Sequence, residues 1–285
     1  MPSIIDTHLH LWDPGRFAYP WLEGVPALNK PYLIDDYDRD CGDHVVEQMV
    51  FIQCECTDPF EELAWVSSIA ERDRRITGIV PWAPLERGEA ARGHIEQMAA
   101  HPLVKGVRRI IENEVDPEFC VQPAFVRGVQ LLAEFNLSFD LCISHTQLPA
   151  TISLVQQCPN VRFILDHIAK PVIRKQIFEP WRTYLSELAK LPNVACKISG
   201  MVVEADHQNW AAADLKPYVE HVMACFGSDR VMFGSDWPVV RLASETTRWI
   251  ETLEKLTQNY SELERTKLFH DNAQSFYRLP SEPRL

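Results

Sequence analysis

Four side chains in this 285-residue sequence have the types and settings to act together: His8, His10, His167 and Asp236. His8 and His10 stand two apart in DTHLHLW, so on a strand both imidazoles project to one face. Two neutral imidazoles placed in this way can grip one divalent cation, with a third ligand and an open position for water. Asp6 shares their parity one step deeper and is expected to accept an N–H from below. Asp236, in MFGSDWPVV, follows an apolar run and a Gly-Ser turn. A carboxylate there can act as a general base beside a metal or a substrate carbonyl, or cap the next helix. His167, in FILDHIAKP, can ligate a cation, polarise a carbonyl or sit as a satisfied core histidine.

Bringing these residues together requires a particular scaffold. Eight short apolar runs, at 3–9, 47–54, 77–82, 104–110, 137–144, 161–166, 194–198 and 231–234, alternate with amphipathic stretches. Helical patterns lie at 59–72, 123–135, 181–191, 213–226 and 244–257. This alternation is the mark of βα units and a parallel sheet. Eight units predict an α/β fold of the closed (β/α)8 TIM-barrel type, one domain over 1–285, with its chemistry at the C-terminal ends of the strands. Those ends carry His8 and His10, Gln53, Trp82, Arg108 or Arg109, His145, Asp166 and His167, Lys197 and Ser199, and Asp236 and Trp237. The segment 13–43 is rich in Pro and aromatic residues, weakly periodic, and reads as an extended loop and candidate lid. The tail 280–285 is expected to fray.

Composition removes whole classes of function. A formal net charge of −12 argues against a nucleic-acid or anionic-membrane surface. No apolar run approaches the roughly 20 residues that span a bilayer, and the N-terminus lacks the pattern of a secretory signal. The 8 cysteines are scattered without a C-x-x-C pair, as expected of reduced thiols in the cytoplasm. There is no Gly-rich phosphate loop and no G-x-S-x-G nucleophile elbow, so neither nucleotide binding nor serine hydrolysis has support.

DTHLHLW, GVRR, DHIAKP, KISGM and MFGSDWP fall, in this order, across nearly the whole chain. Together they resemble the amidohydrolase superfamily, and within it the lactonase branch of L-fuconolactonase and L-rhamnonolactonase type. The resemblance implies hydrolysis of a small lactone, most closely a sugar aldonolactone, by attack of water on the ring carbonyl. Asp236 is then the base, and His8, His10 and His167 are its active-site companions. It also implies a mononuclear metal site at His8, His10, His167 and Asp236, with zinc first among candidates and catalysis without it allowed. The bridging ligand that binuclear relatives carry after strand four has no clear counterpart here; Arg108 lies nearby and cannot ligate a cation, which argues against a second metal. His145 fits the strand-five ligand position of the wider superfamily or contacts substrate. Arg108, Lys197 and Gln53 are expected to bind substrate polar groups, and Trp21, Trp82 and Trp237 to stack on a sugar ring. The alternatives are a metal-dependent decarboxylase of an aromatic acid and a hydrolase of an aromatic-derived lactone.

Overall fold

The structure, a computed structural model, describes residues 3–281. The part of the expected frayed tail beyond residue 281 lies outside the described residues. All eight predicted strands form: β1 (Ile4–Leu9), β2 (Val46–Ile52), β3 (Ile76–Val80), β4 (Gly106–Arg108), β5 (Ser138–Leu141), β6 (Arg162–Leu165), β7 (Val194–Ile198) and β8 (Val231–Phe233). Every pair of sequence neighbours within the two runs β1–β3 and β4–β8 is parallel. Two parallel bridges join the runs into a closed ring, Ile79 with Val104 and Leu9 with Trp237. Backbone hydrogen bonds reinforce both joints, from Lys105 N to Ile79 O at 3.0 Å and from His10 N to Trp237 O at 2.7 Å. The architecture is the expected α/β barrel.

The helices that follow the strands begin where local chemistry favours a start. In the helix Pro59–Ala70, Pro59 occupies the first turn and the Asp58 carboxylate accepts from Glu61 N at 3.0 Å. In the helix Pro123–Glu134, Pro123 has the same place, and Phe125, Val129 and Leu132 form its buried stripe. The segment 13–43 differs from expectation. It contains two short 3₁₀ turns and an α-helix, Ile34–Cys41, rather than extended loop alone. That helix reads IDDYDRDC, and its buried face is only Tyr37, Asp40 and Cys41, too sparse a stripe to register as a period. The segment is pinned by the Trp12–Tyr32 bridge and by the Trp12 indole N–H to Lys30 O at 3.0 Å. It is therefore a packed cap on the barrel.

Inside the barrel a small apolar cluster of Ile5, Val50, Ile52, Val80, Ile164, Ala195 and Met232 is closed from below by Ala273, Tyr277 and Leu279. Tyr277 also reaches the polar layer above, donating from its hydroxyl to Asp140 Oδ2 at 2.7 Å. Tyr277→Phe should therefore cost about 1–3 kcal/mol, because a fully buried carboxylate loses one of its few donors. Urea unfolding would show the loss as a lower midpoint at unchanged m-value, and an unaltered midpoint would contradict this role.

Candidate active site

Each of the four central side chains is delivered by a local departure from regular structure. In β1, Asp6 pairs with Met49 and Leu9 with Phe51, so three steps of β1 oppose two of β2. This bulge breaks the simple alternation. Asp6 is consequently not beneath the imidazoles as expected. It accepts from His8 N at 3.1 Å, Ser235 N at 2.9 Å and the Tyr37 hydroxyl at 2.8 Å, tying β1 to the turn after β8. Asp236 follows that turn at φ 60°, with its own N–H on His8 O at 2.8 Å. His167 opens a run of four non-glycine residues at positive φ, His167 52°, Ile168 49°, Ala169 63° and Lys170 47°. Left-handed backbone costs roughly 1–2 kcal/mol per such residue, so the surroundings must hold it. They do: the Trp181 indole donates to Ile168 O at 2.7 Å, and His145 Nδ1 lies 3.1 Å from Lys170 O. Gly200 is needed alongside, since a Cβ there would lie 2.5 Å from His167 Nδ1.

The result is a convergence on one oxygen. Asp236 Oδ1 lies 3.8 Å from His8 Nε2, 3.5 Å from His10 Nε2 and 3.8 Å from His167 Nε2. His10 Nδ1 is 2.8 Å from Ile52 O. A carbonyl can only accept, so Nδ1 carries the proton and, in the neutral ring, Nε2 turns a lone pair toward Asp236. His8 is oriented from the other side, with Nδ1 3.3 Å from Asp166 Oδ1 and Nε2 3.1 Å from Arg108 Nη1. Below, the Lys197 ammonium is 2.6 Å from Asp140 Oδ2 and 3.0 Å from Asp166 Oδ1. A cleft of about 200 Å³ opens above, lined among others by His10, Trp21, Glu55, Arg108, Glu112, Lys170 and Asp236.

Burial pushes His8 and His10 below the ordinary imidazole value, and it takes His167 down to about 4 against the opposing pull of Asp236 and Asp166. All three are neutral near pH 7. Burial would raise the Asp236 carboxyl, but the surrounding His167, His10 and His8 rings outweigh it and hold it below the usual range. Asp166 is likewise held well below that range, burial being outweighed by Lys197 and then His8.

The donor set suits one divalent cation. Ligands at 2.0–2.2 Å in a tetrahedron are separated by roughly 3.4 Å, close to the observed Asp236-to-imidazole spans. A lone pair on His10 Nε2 facing a carboxylate at 3.5 Å also calls for a cation, a proton or water between them. His8, His10 and Asp236 would form the core of such a site, with His167 beside it. Arg108, however, already directs an N–H at His8 Nε2.

Of the remaining expected residues, Arg108 and Trp21 line the cleft, and the Trp21 indole is fixed on Cys54 O at 2.7 Å. Arg109 turns away to Glu86 and Glu114. Lys197, expected at the substrate, is sealed in the interior by two carboxylates. Gln53 is also sealed: its carbonyl takes Arg108 Nη2 and its side-chain oxygen accepts Glu55 N at 2.6 Å, so it shapes the wall rather than touching ligand. Trp237, expected to stack on a sugar, is wholly buried against Tyr32 and Tyr37. Trp82 packs edge-on against His94, away from the cleft lining. His145 stands in neither metal-competent group, and its ring nitrogen serves the Lys170 carbonyl. In each case a neighbouring chain segment supplies the partner that a ligand was expected to supply.

A barrel with imidazoles and a carboxylate gathered at the C-terminal mouth defines a class of enzyme. The chain belongs to the amidohydrolase family, which it matches over residues 5–279. It is 34% identical to an uncharacterized protein of Sinorhizobium fredii, covering 97% of this chain and 99% of that protein. It is 30% identical to an L-fucono-1,5-lactonase of Burkholderia multivorans, with 97% and 96% of the two chains covered. A crystal structure of an amidohydrolase from Burkholderia multivorans with bound zinc is similar at a TM-score of 0.87 and 29% identity, covering 98% of this chain and all 100% of that one.

Sequence reasoning passed over Lys170 and Glu112, whose side chains meet at 2.5 Å in the cleft, and also Glu62. DHIAKP placed Lys170 near His167, but nothing in it signalled a left-handed turn. Glu62 is buried behind the cleft wall, where the Cys54 thiol lies 3.3 Å from its Oε1. Burial raises its carboxyl to about 7. A raised value means that this group's contribution to stability is complete below the unfolded carboxyl value and is lost as pH climbs toward 7. Relative to Glu62→Gln, the native chain should therefore lose roughly 2–3 kcal/mol between weakly acidic and neutral pH. Parallel pH profiles of unfolding free energy for the two proteins would refute the shift.

Proposed function

We propose that this protein hydrolyses a small lactone, a neutral sugar aldonolactone of the L-fuconolactone kind, to the hydroxy acid. The observation that carries the reading is the Asp236 carboxylate in a polar cleft, with Oδ1 3.8 Å from His8 Nε2, 3.5 Å from His10 Nε2 and 3.8 Å from His167 Nε2. The family membership and the similarity to an L-fucono-1,5-lactonase support it. Asp236 accepts a proton from water as its oxygen bonds to the ring carbonyl carbon. The carbonyl oxygen gains charge and is met by fixed donors, the Arg108 guanidinium and the His167 Nε2–H. Ser199 Oγ lies 2.9 Å from His167 Nδ1, and with the hydroxyl donating to that nitrogen the ring proton sits on Nε2. Preorganised donors of this sort contribute several kcal/mol to a transition state. The carbon–oxygen bond of the ring then breaks, and Asp236 returns its proton to the departing oxygen, so one carboxyl serves as base and then acid.

A divalent cation, zinc first, bound by His8, His10 and Asp236 would add Lewis-acid polarisation of the carbonyl, and His167 would join it only in the other tautomer, with its ring proton on Nδ1. The charged lining favours a neutral lactone over an aromatic acid as substrate, because Glu55, Glu112 and Asp236 would repel the carboxylate of the acid. Eight unpaired thiols support a reducing compartment, and among the described residues no helix is long and apolar enough to cross a membrane.

In a pH-indicator assay against a panel of aldonolactones, acid release is expected on a subset of sugars. Asp236→Asn should lower kcat about 10³-fold while leaving thermal unfolding near that of the parent. Retention of most activity would remove Asp236 as the base, and silence of the parent across the panel with zinc supplied would remove the lactone reading. Turnover should survive exhaustive chelation within a few-fold, since Arg108 already places a fixed cation in the site. A rate abolished by chelator and restored by zinc would instead assign the electrophile to the metal.

A further inference from the structure

We propose that Lys170 and Glu112 form the recognition subsite, reading two neighbouring ring hydroxyls of a neutral, polyhydroxylated lactone and rejecting lactones that carry a ring carboxylate. This rests on the lactonase reading and specifies the substrate class for the same cleft.

The pair stands apart from the other charges of the site. Arg108, Asp166, Asp140 and Lys197 are buried and committed to one another. Lys170 and Glu112 are partly exposed, line the cleft, and meet at 2.5 Å. An ammonium has three donors and a carboxylate about four lone-pair sites, so each retains unused capacity after this one contact. A hydroxyl both donates and accepts. Two adjacent hydroxyls therefore match a donor and an acceptor held side by side: one accepts from Lys170 Nζ while the next donates to Glu112. Asn113, also in the lining, offers a further amide donor and acceptor.

The charge balance sets the class. The lining carries two fixed cations, Arg108 and Lys170, against three carboxylates, Glu55, Glu112 and Asp236. Arg108 is engaged by Gln53 O and His8, and Lys170 by Glu112. The charge of Lys170 is already offset by Glu112 and that of Arg108 by Asp166, so an anionic substituent would meet a lining whose net charge is negative.

The pair is also in register with the chemistry. Lys170 closes the left-handed turn that His167 opens, with its N–H on His167 O at 2.9 Å. One rigid turn thus carries both a recognition group and a ring 3.8 Å from Asp236 Oδ1. His145, through its contact with Lys170 O, is a positioning residue for that turn.

The test uses lactams, which keep the ring and its substituents but resist hydrolysis. Isothermal titration compares a hexonic acid δ-lactam, unsubstituted δ-valerolactam and a δ-lactam bearing a ring carboxylate. The native protein should bind the polyhydroxylated ring at least tenfold more tightly than the other two. Lys170→Met and Glu112→Gln should each erase most of that preference, and Glu112→Gln, by freeing Lys170, should bind the carboxylated ring more tightly than the native protein does. Variants that keep the native preference, or a native protein that favours the carboxylated ring or shows no preference, would overturn the proposal. Selective binding of the polyhydroxylated lactam by a protein that hydrolyses no lactone would sink the lactonase reading and leave the subsite standing.

Discussion

Two positive and two negative groups are locked inside the barrel, and the rest of the site depends on their balance. Lys197 lies between Asp140 and Asp166, while Arg108 approaches Asp166 at 3.5 Å and His8 at 3.1 Å. None has meaningful access to solvent. Removing one partner from such a set leaves an unpaired buried charge, which typically costs 3–5 kcal/mol, so each member requires the others. The network reaches the chemistry through Asp166, which faces His8 Nδ1, and it reaches the far end of the chain through Tyr277 on Asp140. Strands β4, β5, β6 and β7 and the C-terminal segment are thereby committed to one arrangement of charge.

Above this layer, strain is concentrated at the mouth. Asp236 and the turn 167–170 hold positive φ without glycine, and Gly200 is reserved for the space beside His167. Such conformations persist only where neighbours over-determine them. Here the neighbours are identifiable: the Trp181 indole and His145 on the turn, and the His8 carbonyl beneath Asp236. Their effect is rigidity where three imidazoles must share one carboxylate oxygen. Preorganised dipoles are most useful to a developing charge when nothing has to reorient during reaction.

The division of labour in the site follows from depth. Deep groups are paired chiefly with one another and set protonation and orientation, although Arg108 Nε and Asp140 Oδ1 find no hydrogen-bond partner. Shallow groups, Lys170, Glu112, Glu55 and Trp21, line the cleft and keep unused hydrogen-bonding capacity or a free face. This gradient explains why so many titratable residues at strand ends need not all touch substrate: a barrel interior that buries charge must first neutralise it.

Much was legible in the sequence by itself. Eight apolar runs spaced by amphipathic stretches specify eight strands, because barrel strands buried on both faces must be apolar nearly throughout while the helices outside bury one face. H-x-H on the first strand, His167 after the sixth and Asp236 after the eighth were legible too, since the C-terminal ends of barrel strands must converge. What only the tertiary structure decided is how each side chain is spent. A bulge in β1 took Asp6 out of line with His8, burial turned Lys197, Gln53 and Trp237 into supports, and a left-handed turn brought Lys170 to Glu112. Periodicity is a local property and can be read along the chain. Hydrogen-bond partners come from segments far along the chain, as Ser235 lies 229 residues from Asp6, and only the closed barrel determines which of them meet.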